Sequence, residues 1–229
     1  MRLDKVIADM GIGTRNEIRK ACRALRITVN GETVKDPSVH VDPETDLISI
    51  DGEPIQYQKY VYFMLNKPKG VISSTSDREP TVIELIDCTV KGLYPVGRLD
   101  RDTEGLLLIT NDGPLGHQLL SPRHHVEKEY LVTARDAIRE ADCAKIRTGM
   151  KIDKGEVTLP AEIALIGDRE CRLILREGKY HEIKRMFAAL HNEVIALKRI
   201  RMKDLVLDET LKPGEYRALT EEEIASLYD

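Results

Sequence analysis

Between Tyr94 and Gly113 the chain reads Y-P-V-G-R-L-D-R-D-T-E-G-L-L-L-I-T-N-D-G, and its densest chemistry lies in the turn that Gly97 and Gly105 bracket. That turn carries Arg98, Asp100, Arg101, Asp102 and Glu104. Leu106 to Ile109 follows as a continuous apolar run, the pattern of a buried strand. Asn111-Asp112-Gly113 then supplies turn chemistry, and Pro114 suits the first position of a helix. A tight polar loop feeding a buried strand presents a carboxylate rigidly, as nucleophilic or proton-transfer chemistry requires. The same residues also fit an Asp100 that only caps a turn.

Other chemistries find little support. His124 and His125 are adjacent, but a zinc site needs three or four convergent ligands and none stands nearby. Cys22, Cys88, Cys143 and Cys171 are scattered with no C-x-x-C pair, which favours reduced thiols in a cytoplasmic protein. No dinucleotide or phosphate-loop motif occurs. Neither a metal nor a cofactor is therefore expected. No stretch approaches the roughly 18–20 apolar residues that span a bilayer, and the charged start Met1-Arg2-Leu3-Asp4-Lys5 lacks a signal-peptide core.

The elements that must position the loop can be read in order. Thr14-Arg15-Asn16-Glu17 is a capping box, predicting a helix from Arg15 with Ile18, Ala21, Cys22 and Leu25 as its buried stripe. Arg15, Arg19, Arg23 and Arg26 line another side. Over residues 1–26, Arg2, Lys5, Arg15, Arg19, Lys20, Arg23 and Arg26 face only Asp4, Asp9 and Glu17, so the local balance is 7 − 3 = +4 in a chain of net charge −4. Such a face suits phosphates, although charge runs are more often merely solvated. Ile27 to Val34 reads as two strands around Asn30-Gly31, with another strand at Asp46–Ile50. The polar segment Gly52–Lys59 reads as a linker between domains 1–58 and 59–229.

Beyond it, Tyr60–Leu65 is expected as a strand, the turn Asn66-Lys67-Pro68-Lys69-Gly70 follows, and Val71–Ser74 returns. Lys67 is read as scaffold. Strands are predicted from Lys128, over Ala161–Ile166 and Cys171–Arg176, and over Glu193–Met202. Helices are predicted over 139–148, through Ile183, Met186, Phe187 and Leu190, and from Thr220. Lys198, Arg199, Arg201 and Lys203 crowd the end of one strand, where contact with an RNA backbone is the favoured reading.

These motifs resemble a known family. G-R-L-D-x-x-T-x-G-L, matched by Gly97, Arg98, Leu99, Asp100, Thr103, Gly105 and Leu106, is similar to the signature loop of the RsuA-type branch of the pseudouridine synthases. The L-N-K-P-x-G-x-x-x-S hairpin, the K-x-Y pair Lys128 and Tyr130, and the G-[KR]-x-H-x-[IV]-[KR]-R-M motif at 178–186 extend the likeness. Residues 1–55 resemble an S4 RNA-binding domain, on the basic helix and the V-N-G hairpin. The resemblance implies an α+β chain: a small S4 (alpha-L) domain, then a synthase domain with a mostly antiparallel mixed sheet flanked by helices. It assigns the catalytic role to Asp100, a pairing cation to Lys184 and base stacking to Tyr130. RNA contacts are expected at Arg98, Lys128, Lys179, Arg199 and the basic residues of 1–26.

The S-P-R-H-H-x-E-K-x-Y string and the P-G-E-Y-R-x-L-T-E-E-E-I ending look closer to small-subunit than to large-subunit enzymes. They imply a monomeric isomerase acting on a uridine of 16S ribosomal RNA, at position 516, within an assembling subunit. The alternatives are a 23S rRNA synthase, a non-catalytic RNA-binding assembly factor, and a hydrolytic nucleosidase. Asp100, Tyr130 and Lys184 together speak against a pure binder. A nucleosidase would need a second group to activate water, and none is evident.

Overall fold

A computed structural model describes residues 1–228. They form two compact units: Met1–Val61 with Asp87–Leu93, and Tyr62–Ile86 with the chain from Tyr94 on.

The first unit holds α1 (Leu3–Asp9), α2 (Arg15–Arg23), β1 (Ile27–Val29), β2 (Glu32–Thr33), β3 (Ile48–Ile50) and β4 (Glu53–Pro54). Helix α2 starts at the expected capping box: Thr14 Oγ1 accepts from the Glu17 amide at 3.3 Å, and Glu17 Oε2 accepts from the Thr14 amide at 2.7 Å. Ile18 and Cys22 join Leu3, Val6, Ile7, Ile27, Val41 and Ile48 in one core. Leu25 departs from the expected stripe. The helix ends at Arg23, and Leu25 takes a left-handed φ of 60° that leaves its side chain exposed. Asn30 and Gly31, with φ of 53° and 83°, make the turn joining β1 to β2. Strand order is β2-β1-β3-β4, all antiparallel.

Two features of this unit depart from the sequence reading. Part of the segment read as linker is strand β4, which pairs with β3. Residues 87–93 also return to it, with Thr89 Oγ1 donating to the Met10 carbonyl at 2.9 Å and the Lys91 amide to that of Asp9 at 3.3 Å. Gly11 (φ 71°) permits this approach, since a Cβ there would lie 1.8 Å from the Thr89 carbonyl oxygen.

The second unit contains β5 (Tyr62–Lys67), β6 (Tyr94–Pro95), β7 (Glu104–Thr110), α3 (Gly113–Leu120), β8 (Lys128–Ala134), α4 (Glu140–Thr148), β9 (Glu162–Leu165), β10 (Glu170–Leu175), α5 (Glu182–Ala189), β11 (Val194–Met202), β12 (Leu205–Val206), β13 (Tyr216–Ala218) and α6 (Glu221–Tyr228). The sheet runs β13-β5-β7-β11-β8-β10-β9, with β6 pairing β7 and β12 pairing β11. Only β7 and β11 run parallel among the described pairs; the rest are antiparallel.

This topology makes β7 an interior strand, and Leu106, Leu107, Leu108 and Ile109 are fully buried. The loop before β7 is thus anchored at a rigid strand end. Gly105 (φ 102°) is required where β11 comes close, since a Cβ would sit 2.2 Å from the Arg199 carbonyl oxygen. At the other end, Asp112 caps α3 by accepting from the Leu115 amide at 3.2 Å. Its carboxylate also accepts from the hydroxyls of Tyr62 (2.8 Å) and Tyr228, tying α6 to α3. Helix α5 buries Ile183, Met186, Phe187 and Leu190, as the spacing predicts. No helix among the described residues is long and apolar enough to cross a membrane.

Candidate active site

Asp100 lies in the loop entering β7, and the hairpin that follows β5 holds that loop in place. Lys67, the last residue of β5, is 0% exposed. Its Nζ donates to the carbonyls of Pro68 (3.0 Å), Asp100 (3.1 Å), Arg101 (3.4 Å) and Thr103 (3.0 Å). Burial pushes its pKa down to about 8, against the raising influence of Asp102, Asp100 and Glu104. It therefore remains mainly an ammonium at neutral pH. Ser73 Oγ donates to the Leu99 carbonyl at 2.9 Å and accepts from the Leu99 amide at 3.1 Å. The Asp100 backbone is consequently gripped on both sides, and the scaffold reading of Lys67 acquires a definite job.

Removing that grip has a measurable cost. Lys67→Met leaves the buried Thr103 carbonyl and the partly buried carbonyls of Pro68, Asp100 and Arg101 without this donor and is expected to destabilise the protein by about 3 kcal/mol. Chemical denaturation of the variant checks this. An unchanged midpoint and slope would show that the loop is held without Lys67.

The Asp100 carboxylate is 26% exposed, while that of Asp102 is 68% exposed. Lys184, on α5, bridges them: its Nζ is 2.9 Å from Asp100 Oδ2 and 2.5 Å from Asp102 Oδ1. Burial lowers the Lys184 pKa, but hydrogen bonds to Asp102 and Asp100 outweigh it and the net shift is upward. For Asp102 burial acts upward and Lys184 downward, with the net result below the ordinary carboxylate range. The site thus holds one cation between two acids.

His181 completes the ring around Asp100, with Nε2 at 3.5 Å from Oδ1. It sits at the cap position of α5 in a left-handed conformation (φ 49°, ψ 35°). Its place in the motif at 178–186 is the signal for it in the sequence.

Tyr130 is buried on β8, directly across from Arg199 on β11. Burial raises its phenol pKa and Arg199 opposes that shift, while Glu182 and Asp100 add to it. The neutral phenol is therefore favoured in the resting site.

Arg199 requires a correction. It was expected to touch an RNA backbone, but it is 1% exposed and donates from Nε to the Leu106 carbonyl at 2.7 Å. Its strand lies between β7 and β8, so alternate side chains turn into the sheet's covered face. Lys128 is also less available than expected. It is half-buried, with Nζ donating to the Val126 carbonyl at 2.9 Å, and burial pushes its pKa down to about 8. Lys179 is half-buried and ion-paired with Glu177. Sequence reasoning also missed Glu182, buried at the start of α5, whose pKa burial and its bond to Glu177 push up to about 7.

The remaining basic residues face outward. Lys5, Arg15, Arg19, Lys20 and Arg23 are exposed and make no salt bridge among the described residues. Arg2 is paired with Asp4 and Arg26 with Asp51. Arg98 is exposed, whereas Asp102 pairs with Lys184 and Glu104 with Lys69. Among the described residues Arg98 forms no ion pair with either acid.

A family model described as RNA pseudouridylate synthase matches residues 61–189, which include the Asp100 loop, Tyr130 and Lys184. The chain belongs to the RNA pseudouridylate synthase family. An S4 domain model matches residues 1–48, so the synthase carries an S4 domain ahead of its catalytic domain. Across 99% of its length the synthase is 44% identical to the whole of the ribosomal small subunit pseudouridine synthase A of Escherichia coli. It is also 44% identical over 98% of its length to an uncharacterized RNA pseudouridine synthase of Bacillus subtilis, covering 97% of that protein. A crystal structure of a pseudouridylate synthase superposes with a TM-score of 0.71 at 43% identity, covering 99% of each chain. The fold expected from the motifs, an S4 domain followed by an α+β synthase domain, is the one present.

Proposed function

We propose that this synthase isomerises one uridine of small-subunit (16S) ribosomal RNA, at position 516, to pseudouridine. The end-to-end 44% identity to proteins named ribosomal small subunit pseudouridine synthase A carries the choice of substrate. In this reading residues 1–58 dock the RNA and 59–229 perform the isomerisation, as a cytoplasmic monomer acting on an assembling small subunit.

The reaction breaks the C1′–N1 bond, turns the base and joins C1′ to C5, while the C5 proton leaves and N1 gains one. Atoms and electrons balance without a redox carrier. What the reaction needs is a carboxylate beside the sugar, as a nucleophile at C1′ or as a base toward a sugar proton. Asp100 fills that role, and Lys184 at 2.9 Å supplies the adjoining positive charge. Tyr130 presents a buried ring to the uracil.

A uridine within folded RNA must be extruded at a cost of a few kcal/mol. Exposed Arg98 is suited to the space it leaves, and docking through Lys5, Arg15, Arg19, Lys20 and Arg23 offsets part of that cost. Arg2 and Arg26 add to the same field from within their ion pairs.

Pseudouridine-specific chemical mapping of 16S and 23S rRNA, from cells with and without this gene, tests the assignment. The signal at position 516 of 16S is expected to disappear with the gene. Loss of a 23S signal instead would move the substrate to the large subunit. No lost signal in either RNA would favour a non-catalytic RNA-binding factor.

A further inference from the structure

The rim of the site carries an aromatic surface that the reaction leaves unused. Tyr180 is 72% exposed, although the chain has only eight Tyr, two Phe and no Trp. One face of its ring stacks on the His181 imidazole, with centroids 3.8 Å apart and planes at 18°. The imidazole in turn lies 3.5 Å from the Asp100 carboxylate. Two stacked rings therefore lead from the reacting centre to solvent, and the outer one has a free face.

The backbone beneath this pair is fastened rather than loose. The Tyr180 carbonyl accepts from Arg185 Nη1 at 3.0 Å. Arg185 is itself held by Asp153 and by Glu156, the latter at 3.1 Å. His181 adopts a left-handed conformation that non-glycine residues occupy at a cost, and such strain persists only where the surroundings enforce it. A flat ring with an open face, on a fastened backbone beside the His181–Asp100 pair, suits stacking on another flat π-system.

We propose that the outer face of Tyr180 is a binding site for an unpaired nucleobase, that of the nucleotide adjoining the target uridine on its 5′ or 3′ side. The inference rests on the pseudouridine synthase reading of Asp100. Extruding the uridine removes a stacking partner from its neighbours in the strand. A neighbour that moves onto Tyr180 recovers that contact, so the strand stays open beside Asp100. Every base has a π-face, so the contact is tolerant of sequence and reads strand opening rather than base identity.

The test uses the full chain and an RNA that the wild-type protein modifies, chosen by product formation. A wrong rRNA assignment thus changes the RNA and not the experiment. Two RNAs carry 5-bromouridine immediately 5′ or immediately 3′ of the target. Irradiation is expected to crosslink one of them to Tyr180, located by peptide mass spectrometry. Tyr180→Ala is expected to weaken RNA binding at least about fivefold, the low end for one base stacked on an aromatic ring, and Tyr180→Phe to restore it. Because Tyr180 is exposed, both variants should keep the wild-type circular dichroism. Three results would each overturn the proposal. They are crosslinks from both positions that land elsewhere, an alanine variant that binds within twofold of wild type, and a loss confined to turnover, which would make Tyr180 a support for His181.

Discussion

Asp100→Asn should bind RNA within about tenfold of wild type, roughly 1.4 kcal/mol, and form no detectable pseudouridine. The substitution is nearly isosteric and leaves the contacts that position the loop intact. The Asp100 carbonyl still accepts from Lys67 at 3.1 Å and from the Thr103 amide at 3.0 Å. What disappears is the negative oxygen 2.9 Å from Lys184. An amide is neither a useful nucleophile toward C1′ nor a base at neutral pH, so the loss falls on the chemical step. In the proposed function affinity rests on the basic face of the first unit, which the substitution does not touch. A large loss of binding would instead make Asp100 an RNA ligand.

Lys184→Met should lower kcat by about a hundredfold or more, whereas Lys184→Arg should retain most of it, the range seen when a positioned charge is removed from a catalytic site. Lys184 bonds to both acids, so methionine leaves Asp100 and Asp102 facing each other without the cation between them. Lys184 holds the Asp102 carboxyl below the ordinary carboxylate range, and the methionine variant removes that cation. Arginine keeps the charge, with its fork geometry as the difference. Equal turnover by the methionine and arginine variants would remove the ion pair from the mechanism.

Much of the framework was legible because local rules and tertiary context agree. The Thr14 capping box, the Asn30-Gly31 turn and the buried run Leu106–Ile109 each follow from a single local preference. The pairing of Asp100 with Lys184, now seen at 2.9 Å, was legible through the resemblance carried by the Gly-Arg-Leu-Asp string and the motif at 178–186, while their roles in the reaction stay a proposal. Where the reading failed, long-range placement decided. Arg199 looks like a surface cation in one dimension, but a strand between two others buries every second side chain, and its partner across β8 is Tyr130. Lys67 showed no trace of its four carbonyl contacts, since three of those acceptors belong to a loop 33 to 36 residues on. The buried face of α1, Leu3, Val6 and Ile7, was hidden among charges. The return of 87–93 to the first unit depends on Gly11 and Thr89 meeting across a long loop, which no window of sequence reports.

The measurement that bears most directly on Asp100 as the reacting carboxylate is single-turnover pseudouridine formation by Asp100→Asn and Asp102→Asn, side by side on one RNA. Both lose an acid bonded to Lys184, and only the Asp100 carboxylate is also within reach of His181 and half-enclosed. The expected result is no product from Asp100→Asn and turnover within about tenfold of wild type from Asp102→Asn, a difference of at least several kcal/mol in barrier between two neighbouring carboxylates. Product from Asp100→Asn at the wild-type rate, or loss of product from Asp102→Asn alone, would contradict it.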